Sequence, residues 1–161
     1  PYGLRNLTEG KELPFQGVYL VEPDGRLTLL VDDFERPNGL AFSPDEMVLY
    51  IDDSARRHIR AFDVRPDGTL ANGRVFFDMQ SPDSGSPDGM KVDVHGNVFC
   101  TGPGGTWVMT PAGRLLGRVI TPEQPANLAW GGPDWSTLFI TARTSVYRLR
   151  TATMGIRVGG A

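Results

Sequence analysis

The sequence predicts an all-β protein of the β-propeller class, with about three and a half four-stranded blades. Its 161 residues include 20 glycines and 13 prolines, which disfavour long helices and suit short strands joined by tight turns. No segment shows sustained helical periodicity. A repeat supports the propeller, because one pattern opens an apolar strand three times, at spacings of 50 and 38 residues, close to the length of a blade. The three copies begin Pro37-Asn38-Gly39, Pro87-Asp88-Gly89 and Pro125-Ala126-Asn127.

The strands follow in order when apolar alternation is read between turn residues. The end of a first blade predicts strands at 17–21 and 27–31, and the next blade at 39–43, 48–52, 58–64 and 74–78. The third blade predicts strands at 90–94, 98–101, 106–110 and 115–120, and the last at 128–130, 138–141 and 146–149 without a clear fourth. The expected division is one partial β-propeller over 1–161: the end of a blade (1–36), two blades (37–86 and 87–124), a last blade lacking its outer strand (125–150) and a tail (151–161).

A second repeat supports this phase. Pro23-Asp24-Gly25, Pro66-Asp67-Gly68 and Pro111-Ala112-Gly113 recur at spacings of 43 and 45 residues, each as a turn after a third strand. Proline sets the entry to such a turn and glycine supplies a positive φ. Pro87-Asp88-Gly89 has the same residue types but precedes a first strand, so it has a different role.

Composition excludes several classes of partner. There are 16 Lys and Arg against 19 Asp and Glu, a net charge of −3, which argues against nucleic acid or an anionic membrane as a partner. The sequence shows no membrane-length apolar run and no signal peptide, so we expect a cytoplasmic protein. Cys100 is the single cysteine, and no Cys/His spacing is typical of zinc. An open arc of blades exposes an apolar face at each end, which leaves self-association through those faces open.

Several motifs resemble the senescence marker protein 30, gluconolactonase and luciferin-regenerating enzyme family, in the same order over residues 1–150. They are Arg36-Pro37-Asn38-Gly39-Leu40-Ala41-Phe42-Ser43-Pro44-Asp45, Ser86-Pro87-Asp88-Gly89-Met90, Gly104-Gly105-Thr106-Trp107-Val108 and Asn127-Leu128-Ala129-Trp130-Gly131-Gly132. The resemblance implies a six-bladed propeller that holds one divalent cation at the top of its central channel. It also implies the hydrolysis of sugar lactones or related esters.

The same resemblance implies the ligands of the cation: a glutamate from the first blade, an asparagine from a middle blade and an aspartate from a later blade. By motif, Asn38 matches the asparagine and Asp88 the aspartate, while the glutamate would lie upstream of Pro1. Pro1-Tyr2-Gly3-Leu4 resembles the segment after a second strand of a blade. We therefore expect a C-terminal fragment of such an enzyme, with impaired activity.

The repeats alone also single out Asn38 and Asp88. They occupy equivalent positions where two successive inner strands begin, so the fold brings them to one mouth of the channel. An amide oxygen and a carboxylate are ligands suited to Ca²⁺, which we expect, or to Mg²⁺, Mn²⁺ or Zn²⁺. The alternative is that both residues only cap the turns before their strands. Asp88 is also the catalytic candidate, as the group that orients or deprotonates water, although metal ligation would weaken it as a base.

The remaining polar residues receive structural interpretations. Asp52 and Asp53, with Ser54, are expected to end a second strand and then either to face the channel mouth or to start a loop, of which the loop is favoured. His58 lies in an arginine-rich strand edge and His95 in a turn, and neither has the neighbours of a hydrolase triad. Cys100 is expected to be a small buried apolar group.

The leading hypothesis is metal-dependent hydrolysis of a sugar lactone of the gluconolactonase type, with a small-molecule lactone or ester as the substrate. One alternative is a noncatalytic propeller that binds or scaffolds, since a fold does not determine a function. Another is a related propeller hydrolase, with strictosidine-synthase-like or phosphotriester chemistry.

Overall fold

The computed structural model describes residues 10–157, which form thirteen strands in four antiparallel sheets. This range contains no helix, and hence none able to span a membrane. The strands are β1 (Gln16–Val21), β2 (Leu27–Phe34), β3 (Pro37–Phe42), β4 (Val48–Asp53), β5 (His58–Val64), β6 (Leu70–Asp78), β7 (Met90–Val92), β8 (Val98–Gly102), β9 (Gly105–Met109), β10 (Leu115–Val119), β11 (Pro125–Gly131), β12 (Thr137–Ala142) and β13 (Val146–Arg150).

Each sheet is a meander of consecutive strands, as in a propeller blade. The sheets contain β1 and β2, then β3 to β6, then β7 to β10, and finally β11 to β13. The first strands of neighbouring blades contact each other, β3 with β7 and β7 with β11, and so form the inner surface of the arc. The predicted all-β partial propeller of about three and a half blades is confirmed.

Several strand boundaries differ from those expected. β3 begins at Pro37 and β11 at Pro125, so the first and third repeat motifs lie inside their inner strands, while the second still precedes β7. β6 begins four residues early, at Leu70. β7 ends at Val92 because the Asp93 carboxylate accepts hydrogen bonds from the backbone N–H groups of His95 and Asn97, which closes a turn there.

The predicted turn glycines have the conformation that the turn repeat requires. Gly25, Gly68 and Gly113 have φ values of 86°, 78° and 74°, a region that side chains with a Cβ seldom adopt. Gly68 and Gly113 lie between the third and fourth strands of their sheets, and Gly25 lies between the two strands described for the first sheet, at the expected phase of the repeat. The expected segment at residues 1–4 lies outside the described residues.

The core consists of three clusters between successive sheets, so each blade is stabilised mainly by its neighbours. Phe34 packs with Leu49, Ile51 and Phe62 between the first two sheets. The cluster between the second and third sheets is the largest, and Phe99 packs with residues of the fourth sheet in the last one. The members of the largest cluster are Tyr50, Ile59, Ala61, Met79, Met90, Val92, Val98, Cys100, Trp107 and Met109.

The two end sheets carry exposed apolar side chains, because within residues 10–157 only one face of each packs against another sheet. Val21 and Leu27 on the first sheet are 65% and 60% exposed, and Val146 on the last is 68% exposed. Within the described residues no fourth strand follows β13. Residues 151–157 instead cross to the third sheet, where the Thr153 hydroxyl donates to Asp93.

Candidate metal-binding and catalytic site

Asn38 and Asp88 lie together at one end of the inner surface. Asn38 is the second residue of β3, and Asp88 lies two residues before β7, the inner strand of the next blade. The Asn38 amide nitrogen donates to Asp88 Oδ1 at 2.9 Å, although the two residues are 50 apart in the sequence. Both side chains are half-buried, so the pair is accessible from solvent. The third copy of the repeat has Ala126 at the equivalent position, and alanine has no side-chain atom that could bind a metal ion.

The pair leaves two oxygen atoms for a ligand. Among the described residues, neither Asn38 Oδ1 nor Asp88 Oδ2 has a hydrogen-bond partner. One is a neutral amide oxygen and the other a carboxylate oxygen, and such hard donors suit Ca²⁺, Mg²⁺ and Mn²⁺.

Two glycines allow the inner strands to approach this closely. A Cβ on Gly39 would lie 1.9 Å from the backbone oxygen of Asp88 and 2.5 Å from Asp52 Oδ2. A Cβ on Gly89 would lie 2.2 Å from Asn127 Oδ1 at the next blade junction. These approaches explain why glycine follows both site residues, since any other residue would force the inner strands apart.

Hydroxyl groups join the blades beside the pair. The Ser54 hydroxyl donates to the backbone oxygen of Pro87 at 2.6 Å and accepts from the Asn38 amide nitrogen at 3.1 Å. At the next junction, the Thr101 hydroxyl donates to the backbone oxygen of Ala126 at 2.9 Å. In both cases a hydroxyl near the end of a second strand binds the backbone of the following blade, which fixes the separation of the inner strands at the mouth.

As the last residues of β4, Asp52 and Asp53 end a second strand, as the sequence predicted. The favoured interpretation, that these residues only start a loop, does not hold for Asp52. Asp52 has no exposed surface, and its Oδ2 lies beside Gly39, 2.5 Å from the position of a Cβ added to that residue. Ser54, 6% exposed, contacts Asn38 directly. Sequence reasoning therefore missed two residues of the site.

Asp53 has a different environment from Asp52. Its carboxylate accepts hydrogen bonds from the backbone N–H groups of Glu35 and Arg36 on one side and of Ala55 and Arg56 on the other. Burial would raise the pKa of Asp53, but these backbone donors lower it below its ordinary value. Asp53 therefore holds the segments on both sides of the site in place as an ionised carboxylate.

The carboxyl groups at the site have raised pKa values. Burial is the main reason that the pKa of Asp88 is raised, and the hydrogen bond from Asn38 opposes it. The pKa of Asp52 is raised to about 9, first by burial and then by repulsion from Asp88. Burial also raises the pKa of Cys100, whose sulfur lies 3.9 Å from Asp52 Oδ2. A local excess of buried acid of this kind favours a bound cation, which would offset the repulsion.

Other expected structural roles agree with the structure. His95 lies in the turn closed by Asp93, and Cys100 is completely buried in the largest core cluster. The Trp107 indole N–H donates to the backbone oxygen of Pro103 within the β8–β9 connection. Neither His58 nor His95 has a hydrogen bond to Asn38 or Asp88 among the described contacts.

The chemistry of the two oxygen donors fits a divalent cation. Residues 10–157 contain no group of three His, Cys, Asp or Glu side chains that could hold a metal ion. Asn38 and Asp88 offer two oxygen donors on neighbouring blades, and the remaining positions around an ion are open to water or substrate.

The fold and the site together define a class of protein. It is a partial propeller that carries an amide and a carboxylate at the mouth of its inner surface. Residues 3–144 match the sequence pattern of the SMP-30/Gluconolactonase/LRE-like region. The chain belongs to this family, as the motifs predicted. It is 41% identical to a gluconolactonase of Zymomonas mobilis, in a match that covers 96% of this chain and 46% of that protein.

Solved structures agree with this assignment. A gluconolactonase structure from Xanthomonas campestris matches with a TM-score of 0.77 and 38% identity, over 86% of this chain and 46% of that one. A structure of regucalcin from Agrobacterium tumefaciens, described as a calcium-binding protein, matches with a TM-score of 0.78 over 87% of this chain and 54% of that one. Its identity of 23% shows a shared fold only. The chain thus spans about half the length of the relatives that it matches.

Proposed function

We propose that this chain carries part of the active site of a metal-dependent sugar lactonase, in which Asn38 and Asp88 bind one divalent cation. The observation that supports this most is the pairing of Asn38 and Asp88 at 2.9 Å, with one oxygen of each free of partners among the described residues. The family membership and the gluconolactonase relatives support a lactone as the substrate. Ca²⁺ is the ion that we propose, because it prefers oxygen ligands such as these, and Mg²⁺, Mn²⁺ and Zn²⁺ are the alternatives.

Asn38 would bind the cation through Oδ1, and Asp88 through its carboxylate. A bound divalent cation supplies a Lewis acid that polarises the lactone carbonyl and stabilises the negative charge that develops on its oxygen. Asp88 Oδ2 faces no donor of the described chain, so it is free to accept a hydrogen bond from the attacking water. Burial makes the Asp88 carboxylate a stronger base than an exposed one, and ligation acts in the opposite direction.

Proton acceptance by Asp88 therefore competes with ligation of the cation by the same carboxylate. If Asp88 orients the water without removing its proton, its contribution is geometric and depends on the hydrogen bond from Asn38. The two roles differ in whether a proton moves from the water to Asp88 during the reaction. Since two donors come from this part of the chain, we expect it to act more slowly by itself than a full-length relative.

Hydrolysis of glucono-1,5-lactone by the purified chain, with and without each cation, tests this proposal. We expect cation-dependent hydrolysis that falls at least tenfold in Asp88→Asn and is retained in Asp67→Asn, an exposed turn aspartate. A chimera in which this chain replaces the matching part of the Zymomonas mobilis enzyme extends the test to a full-length protein. Equal rates for the chimera and its Asp88→Asn variant, or hydrolysis unaffected by a chelator, would reject the proposal.

A noncatalytic binding role is the second candidate, and the same donors support it. In that case the chain or chimera binds the cation without hydrolysing lactone. Self-association through the exposed end sheets also stays a proposal, and the mass of the chain in solution tests it.

A further inference from the structure

We propose that Ser54 is a positioning residue that sets the orientation of the Asn38 amide and so presents Asn38 Oδ1 to the cation. The inference rests on the proposed function, because it assigns a task to Ser54 within the same site. It begins from two hydrogen bonds of the Ser54 hydroxyl, one donated to Pro87 and one accepted from Asn38. Ser54 itself offers no atom to the substrate, since it is 6% exposed and lies behind the pair.

The proton count of the hydroxyl decides the orientation. Ser54 Oγ carries one proton, and the 2.6 Å contact with the carbonyl oxygen of Pro87 uses it. The hydroxyl can then only accept from Asn38, and it does so from the amide nitrogen at 3.1 Å. A flipped amide would place an oxygen against Ser54 Oγ, with no proton between them.

Asp88 requires the same orientation when it is ionised. The second N–H of the Asn38 amide donates to Asp88 Oδ1 at 2.9 Å, so both amide protons have acceptors and Oδ1 is left for the ion. The Ser54 proton is held by the Pro87 carbonyl oxygen, a backbone acceptor whose charge does not change, so Ser54 keeps its side of the amide in one orientation.

Ser54 also links this orientation to the spacing of the blades. Pro87 precedes Asp88, so the Ser54 hydroxyl holds both the backbone beside Asp88 and the side chain of Asn38. Thr101 makes the corresponding inter-blade bond at the next junction, where the residue equivalent to Asp88 is Ala126. At both junctions a hydroxyl near the end of a second strand thus joins two blades. At the junction with Asn38, the hydroxyl also has the task of positioning that side chain.

Nuclear magnetic resonance tests the orientation without any metal. The side-chain amide signals of Asn38 are assigned by their loss in Asn38→Asp. In the wild-type chain we expect both amide protons to be shifted and protected from exchange by hydrogen bonding. In Ser54→Ala one of them should lose that protection, and in Ser54→Thr, which keeps the hydroxyl, both should retain it.

Calorimetric titration with Ca²⁺ then tests the consequence for the site. Loss of a residue that orients a ligand typically costs about 10- to 100-fold in metal affinity, which is the decrease that we expect for Ser54→Ala. Ser54→Thr should restore most of the affinity. The control is Ser43→Ala, because Ser43 is 8% exposed and its hydroxyl bonds to Asp45 and Val48 at the other end of the blade.

The outcomes separate this inference from the proposed function. A wild-type chain that binds no divalent cation overturns the proposed function and the cation-binding part of this inference together. A wild-type chain that binds, with equal affinity and unchanged Asn38 signals in Ser54→Ala, overturns the inference alone. If Ser54→Ala does not fold, Ser54→Cys replaces it, since a thiol of similar size is a weak donor and acceptor.

Discussion

Asp52 and Cys100 face each other across a blade junction, with 3.9 Å between Asp52 Oδ2 and Cys100 Sγ and no exposed surface on either side chain. Burial raises the pKa of both groups, that of Asp52 to about 9. Both are therefore uncharged at neutral pH, and this blade junction carries a buried neutral acid. The buried acid has a measurable effect on stability.

The Asp52→Asn variant should become more stable relative to the wild type as pH rises from 5 to 8. An unfolded aspartate ionises near pH 4, while folded Asp52 keeps its proton to about pH 9. Over that interval the unfolded state binds fewer protons, so the Asp52 contribution to the free energy of unfolding falls by up to about 1.4 kcal/mol per pH unit. Asparagine does not ionise and removes this loss.

Urea unfolding at several pH values in the presence of a chelator measures the difference. Asp63→Asn is the control, because hydrogen bonds from Asn72 and Arg74 lower the pKa of Asp63 and keep it ionised across this range. The control difference should stay constant between pH 5 and 8. A constant difference for Asp52→Asn as well would mean that folded Asp52 is ionised.

Gly39→Ala should destabilise the chain and separate Asn38 from Asp88. Its Cβ would lie 1.9 Å from the backbone oxygen of Asp88, an atom that cannot move without shifting the next inner strand. We expect a loss of at least about 2 kcal/mol in the free energy of unfolding. Gly117→Ala on β10 is the matched control, since no atom lies within 4 Å of its added Cβ, and its effect should stay within about 0.5 kcal/mol. Equal effects for the two substitutions would show that the inner strands are not held this close.

Asp53→Asn should loosen the segments on both sides of the site and change how the free energy of unfolding depends on pH in acid. Four backbone N–H groups bind the Asp53 carboxylate, and we expect a loss on the order of 3 kcal/mol when an amide replaces it. Because the pKa of folded Asp53 is lowered, its contribution is present above the pKa of an unfolded aspartate and is lost as pH falls through the folded value.

Acid titration of stability tests this last point. Wild type and Asp53→Asn should approach each other in stability as pH falls below about 4. Asp24→Asn, at an exposed turn where the carboxylate accepts only from the Arg26 N–H, is the control and should change stability little. A gap between wild type and Asp53→Asn that persists at low pH would contradict the assigned carboxylate role.

The sequence predicted the architecture because turn residues recur in phase with the blades. Gly25, Gly68 and Gly113 mark the same turn in three sheets, and all thirteen described strands were expected. The pairing of Asn38 with Asp88 was also predictable, since equivalent positions on neighbouring inner strands must be close. Their roles as ligands stay proposals.

The residues that support the pair were harder to predict. Asp52 and Asp53 are neighbours of the same type, yet one is buried with a raised pKa and the other is held by four backbone donors. The direction of each side chain at the end of β4 decides this, and the repeat does not specify it. For Ser54, the partner Pro87 lies 33 residues away. The available signal was a hydroxyl residue near the end of two second strands, at Ser54 and Thr101.

The most direct test of the account is a calorimetric titration of Ca²⁺ into the wild-type chain and into Asp88→Asn. We predict that one ion binds per wild-type chain and that the affinity for Ca²⁺ is at least tenfold lower in Asp88→Asn, which lacks the charge. Asn38→Ala should weaken binding as well, because both residues contact the same ion. Equal affinity and stoichiometry in the wild type and both variants would contradict the assignment of Asn38 and Asp88 as its ligands.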